Sequence, residues 1–87
     1  MRLDKYLKIS LIFKTRSSGE KEIDRGNVLL NDNKAKPSSS VKAGDKLTVI
    51  FPLKKLEFRV LKILDKNVSR KDAKEMYEVI GEEQIEF

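Results

Sequence analysis

"TRSSGEKEIDRGNVLLND", residues 15–32, decides how the chain folds. Ser17 with Glu20 three positions on has the spacing of a capping box. In that motif a hydroxyl and a carboxylate satisfy amides that a first helical turn leaves without partners. Gly26 then supplies the left-handed backbone that ends helices, so the spacing predicts a short helix between them. "NVLL" (27–30) and "KAK" (34–36) flank a polar "NDN" turn and read as two short strands of a hairpin, because Asn and Asp tolerate positive φ. Within the helix only Ile23 is plainly apolar, and Gly19 costs about 1 kcal/mol relative to Ala. Packing, not propensity, has to hold it.

Working outward, "RLDKYLKIS" (2–10) places Leu3, Tyr6, Leu7 and Ser10 at the i, i+3, i+4, i+7 spacing of an amphipathic helix. "LIFK" (11–14) is an apolar bridge that plugs the core between the two helices. Pro37 bars strand continuation in "KPSSS" (36–40). In "VKAGDKLTVIF" (41–51) a Gly-Asp turn precedes a strand with Leu47, Val49 and Phe51 on one side. "KKLEFRVLKIL" (54–64) alternates again through Leu56, Phe58 and Val60. Ser69 with Asp72 at the third position predicts a last helix from Arg70 to Ile80, with Ala73, Met76, Tyr77 and Ile80 on its apolar side and Gly81 as its stop. The expected class is α+β: two short helices and a hairpin in an L-shaped unit, a small antiparallel sheet and a C-terminal helix.

Composition narrows the chemistry. The 87 residues contain neither Cys nor His, which removes disulfides, thiolate metal sites and the commonest general base. No paired acid–base geometry, metal-ligand spacing or phosphate loop stands out, so neither catalysis nor a cofactor nor a metal is expected. No apolar run approaches the ~20 residues of a membrane span and no signal peptide opens the chain, so no membrane partner and a cytoplasmic location are expected. The formal charge is +5, but residues 75–87 hold five acids (Glu75, Glu78, Glu82, Glu83, Glu86) and no base. Of the 19 bases and 14 acids, residues 1–74 therefore carry 19 against 9, a balance of +10. Such an excess attracts polyanions, nucleic acid first. The acidic end is expected either to repel RNA or to meet a basic partner.

The candidate contacts cluster on the helix pair. Arg2, Lys5 and Lys8 lie off the apolar stripe of the first helix, and Lys14 and Arg16 lie in the connection. If the helices pack antiparallel through Leu3, Leu7, Ile12 and Ile23, Arg16 stands at the second helix's N-terminus. There, free amides and the positive dipole end favour a phosphate. Ser17 can add a neutral hydrogen bond, although a capping role explains it as well. Lys21 and Arg25 extend the basic set, or pair with Glu20, Glu22 and Asp24 on a solvated face. Asp4 is expected to be an ion-pair partner that orients Arg2, not a catalyst. Tyr6 and Phe13 are expected in the core, not as base-stacking platforms. Lys34, Lys36 and Lys42 around the hairpin form a secondary strip, or protect a sheet edge.

"RLDKYL", "TRS" opening a helix, "GNVLLND", "KAKPS" and "VKAGDKLTV" follow in an order that resembles the S-four RNA-binding domain over roughly residues 1–50. The chain length and "AKEMYEVIGEE" (73–83) are similar to one branch, the short stand-alone ribosome-associated proteins that include heat-shock protein fifteen and RqcP. The resemblance implies an alpha-L fold and an S-four-type RNA-binding domain over residues 1–62, with a C-terminal helix and acidic tail over 63–87. It implies a non-catalytic protein that binds large-subunit ribosomal RNA and peptidyl-tRNA in ribosome-associated quality control. There it would support alanine tailing of stalled chains with an RqcH-like factor. By motif position, Arg2, Lys5 and Arg16 would carry RNA contacts, and a monomer is expected. Three positions depart from the pattern: Gly19 replaces Ala, Leu11 replaces a basic residue, and Asp32 replaces the Gly of an Asn-Gly turn, which implies a three-residue loop. Two other readings stand beside this one: an RNA-targeting relative of a pseudouridine synthase module, and a DNA-binding helix-turn-helix regulator.

Overall fold

The computed structural model describes residues 1–85, so Glu86 of the acidic end lies outside the described residues. Helix α1 spans Leu3–Ile9, α2 spans Arg16–Asp24 and α3 spans Arg70–Lys74. The strands are β1 (Val28–Leu30), β2 (Asn33–Lys34), β3 (Lys46–Ile50), β4 (Lys54–Val60) and β5 (Tyr77–Gln84). They form one antiparallel sheet in the order β2-β1-β3-β4-β5.

The period-3.6 stripe of α1 is the heart of the core: Leu3, Tyr6, Leu7 and Ser10 are all fully buried. Ile23 of α2, Val28, Leu47, Val49, Phe58 and Val60 of the sheet, and Met76 close over it. The first amides of α1 are not open to solvent. Leu3 and Asp4 donate to the carbonyls of Ser39 (2.7 Å) and Pro37 (3.1 Å), and Val41 donates to the carbonyl of Met1 at 2.8 Å. The 37–41 loop is thus stitched to the start of the chain. At the other end of α1, Leu11 takes a left-handed backbone (φ 62°) and stays exposed, so the bridge that follows is plugged by Ile12 and Phe13 instead.

The start of α2 differs from the capping-box reading. Thr15, extended at φ −130° and ψ 154°, is the N-cap, and its hydroxyl accepts from the Ser18 amide at 3.1 Å. Ser17 lies inside the first turn, and Glu20 reaches the Arg16 guanidinium at 3.7 Å. Entering the helix two residues earlier gives Arg16 helical geometry, which aims its side chain back at α1. The C-terminus follows expectation. Gly26 is at φ +81°, its amide bonds to the Ile23 carbonyl, and the Asn27 amide bonds to Glu22, as in a Schellman stop.

Gly19 faces α1. A Cβ there would meet Leu7 at 3.6 Å and Phe13 at 3.8 Å, which is ordinary contact distance. Gly19→Ala is therefore expected to stabilise the protein by about 1 kcal/mol through helix propensity. For a domain of this size that is a rise of about 4–8 °C in Tm by calorimetry. A lower Tm would mean that the two helices are packed more tightly than this geometry allows.

The β1–β2 hairpin has a two-residue loop, not three. Asn31 (φ 51°) and Asp32 (φ 68°) are both left-handed, with Leu30 opposite Asn33, the arrangement of a type I′ turn. Asp32 can stand in for Gly because a short polar side chain tolerates that backbone. Its carboxylate also meets Lys46 at 2.8 Å. Asn31 pins the turn to β3, donating to Asp45 at 3.1 Å and accepting from the Lys46 amide at 2.9 Å.

The largest departure lies at the C-terminal end. Ser69 caps α3 as expected, accepting from the Asp72 amide at 3.1 Å, but the helix stops at Lys74 and does not reach Ile80. Residues 77–84 form β5 along β4, and Gly81 sits opposite Glu57 in that ladder, not at a helix end. Two features override helical spacing. The Met76 carbonyl is claimed by the Leu61 amide at 2.8 Å, which turns the chain onto the sheet. β4 would otherwise expose a seven-residue unpaired edge. Tyr77 then packs its ring edge-on to Phe58 at 5.2 Å, and Glu83 pairs with Lys55 at 3.3 Å.

Candidate nucleic-acid interface

The site is organised by a buried carboxylate. Asp4, one position into α1, has no solvent exposure, yet two guanidinium groups reach it from outside. Arg2 contacts its two oxygens through Nε and Nη2, both at 3.2 Å. Arg16 reaches it from the first position of α2, Nη2 donating to Oδ1 at 3.3 Å while Nε stands 3.2 Å from Oδ2 as an ion pair. The Lys5 amide adds a fourth donor at 2.8 Å. Burial alone pushes the Asp4 carboxyl up. The Arg16 and Arg2 guanidiniums and the Lys5 amide outweigh it and hold the group below the ordinary carboxylate range.

Both arginine side chains remain about half exposed, so each keeps part of its planar fork for an outside anion. The sequence reading foresaw the Arg2 pairing. That Arg16 shares the same carboxylate depends on the α1–α2 packing, since twelve residues separate the two. Beside Arg16, the amides of Arg16 and Ser17 find no acceptor among the described residues, because Thr15 satisfies only Ser18 and Gly19. Two oriented guanidiniums, a short row of free amides and the exposed Ser17 hydroxyl therefore share the mouth of α2. The arrangement suits phosphate oxygens.

The remaining candidate residues divide by face. Lys5 is on the same helix but is engaged by Asp65 at 2.6 Å, which draws the 61–69 connection against α1. That contact lowers the Asp65 carboxyl below its usual range. Lys8 and Lys14 are exposed. Lys36 and Lys42 bracket the loop stitched to Met1–Asp4, so their strip adjoins Arg2, whereas Lys34 is on the far edge strand. Lys21 does not join the Asp4 pair. Five residues past Arg16, it is turned about 140° around α2. It lines a separate groove with Phe13, Arg25, Asn27 and Phe51. Arg25 there pairs with Glu22 at 2.7 Å. Tyr6 is core, as expected, and its hydroxyl donates to the Met76 carbonyl at 2.9 Å; burial pushes its phenol well up.

The sequence reading passed over a second set of cations, Arg70, Lys71 and Lys74. On the short α3 that forms they stand together beside a single groove. Three bases within five residues was the available signal.

Comparison with known proteins identifies the family of the fold that carries this site. Residues 1–47 match the S4 domain family model. The chain is 40% identical to the RQC P-site tRNA stabilizing factor of Bacillus subtilis, over 98% of each chain. It is also 40% identical to the protein of the same name from Streptococcus pneumoniae, over 99% of this chain and 97% of the relative. The trimeric structure of Vibrio cholerae heat shock protein 15 superposes with a TM-score of 0.83 at 32% identity, covering 91% of this chain and 80% of that one. The chain belongs to the S4-domain family, in the branch of short proteins that holds the RQC P-site tRNA stabilizing factors and heat shock protein 15.

Proposed function

We propose that this protein is a non-catalytic RNA-binding factor that holds a tRNA in the P site of a large ribosomal subunit during ribosome-associated quality control. The observation that carries the reading is the Asp4-centred pair of half-exposed arginines beside the free amides of α2. It occurs in a chain about 40% identical along its length to relatives named for P-site tRNA stabilisation. RNA is met through its backbone and shape, because side chains do not enter the deep groove of an A-form helix. Arg2 and Arg16 contact phosphates directly. Lys5, Lys8, Lys14, Ser17, Lys36 and Lys42 flank them, and Lys21 and Lys34 stand further out.

In this reading one copy acts per subunit, in the cytoplasm, and supports alanine tailing of the stalled chain by an RqcH-like partner. Residues 1–62 supply the RNA-binding unit; within the C-terminal unit, 63–87, residues 77–84 complete the sheet, and the sequence of that unit brings the acidic charge. Among the described residues no helix is long and apolar enough to cross a membrane.

The test is co-sedimentation of the purified protein with large ribosomal subunits, with and without a P-site peptidyl-tRNA. Binding at least tenfold tighter to the tRNA-bearing particle is expected. Equal binding to both would refute tRNA stabilisation. Engagement of about five phosphates should give a slope of log affinity against log salt of about −3.5 to −4.5.

A further inference from the structure

We propose a second RNA-backbone contact on α3, made by Arg70, Lys71 and Lys74 and joined to α1 through Lys8; it rests on the RNA-binding reading above and extends the interface beyond the S4 match at residues 1–47. Three observations carry it. First, the cations converge. At 100° per residue, Arg70, Lys71 and Lys74 fall within an arc of about 100° on α3. They line one groove whose remaining wall is Glu75.

Second, they are uncommitted. Among the described residues none of the three lies within ion-pair distance of a carboxylate. Two of the nearby acids are engaged elsewhere, Glu75 reaching Lys62 at 3.6 Å and Asp65 reaching Lys5 at 2.6 Å, which leaves Asp72 as the acid that stands with the three cations on α3. Exposed lysines that merely confer solubility need no such arrangement. Here three cations stand on α3 against Asp72 alone, with Glu75 turned to Lys62, and the local field stays positive.

Third, the strip is fixed relative to α1. Ala73 and Met76 are buried, and the Met76 carbonyl accepts from Tyr6 of α1 at 2.9 Å and from Leu61 at 2.8 Å. Arg70 and Lys8 also face a shared groove with Leu11 and Asp65. One cationic track therefore runs from the end of α1 across Arg70 to Lys74. A polyanion with regularly spaced charge fits a track of that kind, and a folded RNA backbone is such a polymer.

The experiment measures binding to large ribosomal subunits and to bulk tRNA over a range of salt. It uses the full chain, the triple variant R70Q/K71Q/K74Q and, separately, R16A. The three replaced side chains are exposed, so the triple variant is expected to keep the parent's Tm and circular dichroism. Its affinity should fall at least about tenfold, and the salt slope should become shallower by about 2.1–2.7, near 0.7–0.9 for each phosphate lost. Unchanged affinity and slope in the triple variant, with R16A weakened, would overturn this proposal and leave the RNA-binding reading intact. Loss of subunit binding with an unchanged tRNA slope and unchanged salt dependence would assign the strip to an acidic protein surface, which also overturns it. If the unaltered chain itself fails to bind either RNA, the functional reading falls first.

Discussion

Replacing Asp4 with Asn is expected to weaken RNA binding although it makes the protein more positive by one charge. Asp4 is fully buried and holds both guanidiniums, Arg2 through two hydrogen bonds and Arg16 through one with a close ion pair, so it presents Arg2 and Arg16 in one orientation. Without it each side chain has to be ordered on binding, at about 0.5–1.5 kcal/mol apiece. The added charge returns less than that, since an exposed charge gains only about 1 kcal/mol at close range in water and is screened by salt. The net expectation is a five- to tenfold loss in affinity for large subunits. Tighter binding would show that bulk charge, not the oriented pair, governs recognition.

The same substitution removes charge-assisted hydrogen bonds to a buried group, so stability should fall by about 2–3 kcal/mol. The pH dependence fixes the cause. The folded pKa of Asp4 is lowered. Its stabilisation is therefore complete above the unfolded carboxylate value near pH 4 and is lost as pH falls through the lower folded value. Urea titrations should show the difference between parent and Asp4→Asn at full size at pH 7 and shrinking below about pH 4. A difference that persists unchanged at pH 2 would mean that packing, not ionisation, explains the loss.

Arg16→Ala should give the clearest loss of function with the least loss of fold. It removes one planar donor set from the mouth of α2, and a charge-assisted contact of that kind is worth about 1.5–3 kcal/mol, or tenfold and more in affinity. The salt slope should become shallower by about 0.7–0.9. Arg2 still neutralises Asp4 at 3.2 Å, so the fold survives with a modestly lower Tm. Arg16→Lys keeps the charge but not the fork and should fall between. Lys21→Ala makes the comparison decisive, because Lys21 lines a different groove. Less than a twofold effect is expected from it. Equal losses for Arg16→Ala and Lys21→Ala would dissolve the distinction between the two faces of α2.

Much of this architecture was legible in local spacing. The α1 stripe, the Gly26 stop and the alternation of β3 and β4 are encoded within a few residues of themselves. Each is a matter of one chain segment meeting water on one side and oil on the other. The basic surplus before residue 75 was equally plain, since charge needs no fold to be counted. Caps were less secure. Thr15 and Ser17 are both competent N-caps, and the choice between them was made by where Arg16 had to point, which is a property of α1.

What the chain by itself determined is that two short helices and a hairpin form, and that they carry excess positive charge. Tertiary structure alone decided which of those charges act together. It buried Asp4 between arginines twelve and two residues away. It also converted residues 77–84 from an apparent helix into the strand that β4 lacked. The physical reason is common to both. Neither a buried carboxylate nor an open sheet edge can be left without partners, and those partners are supplied by segments that only the folded chain brings near.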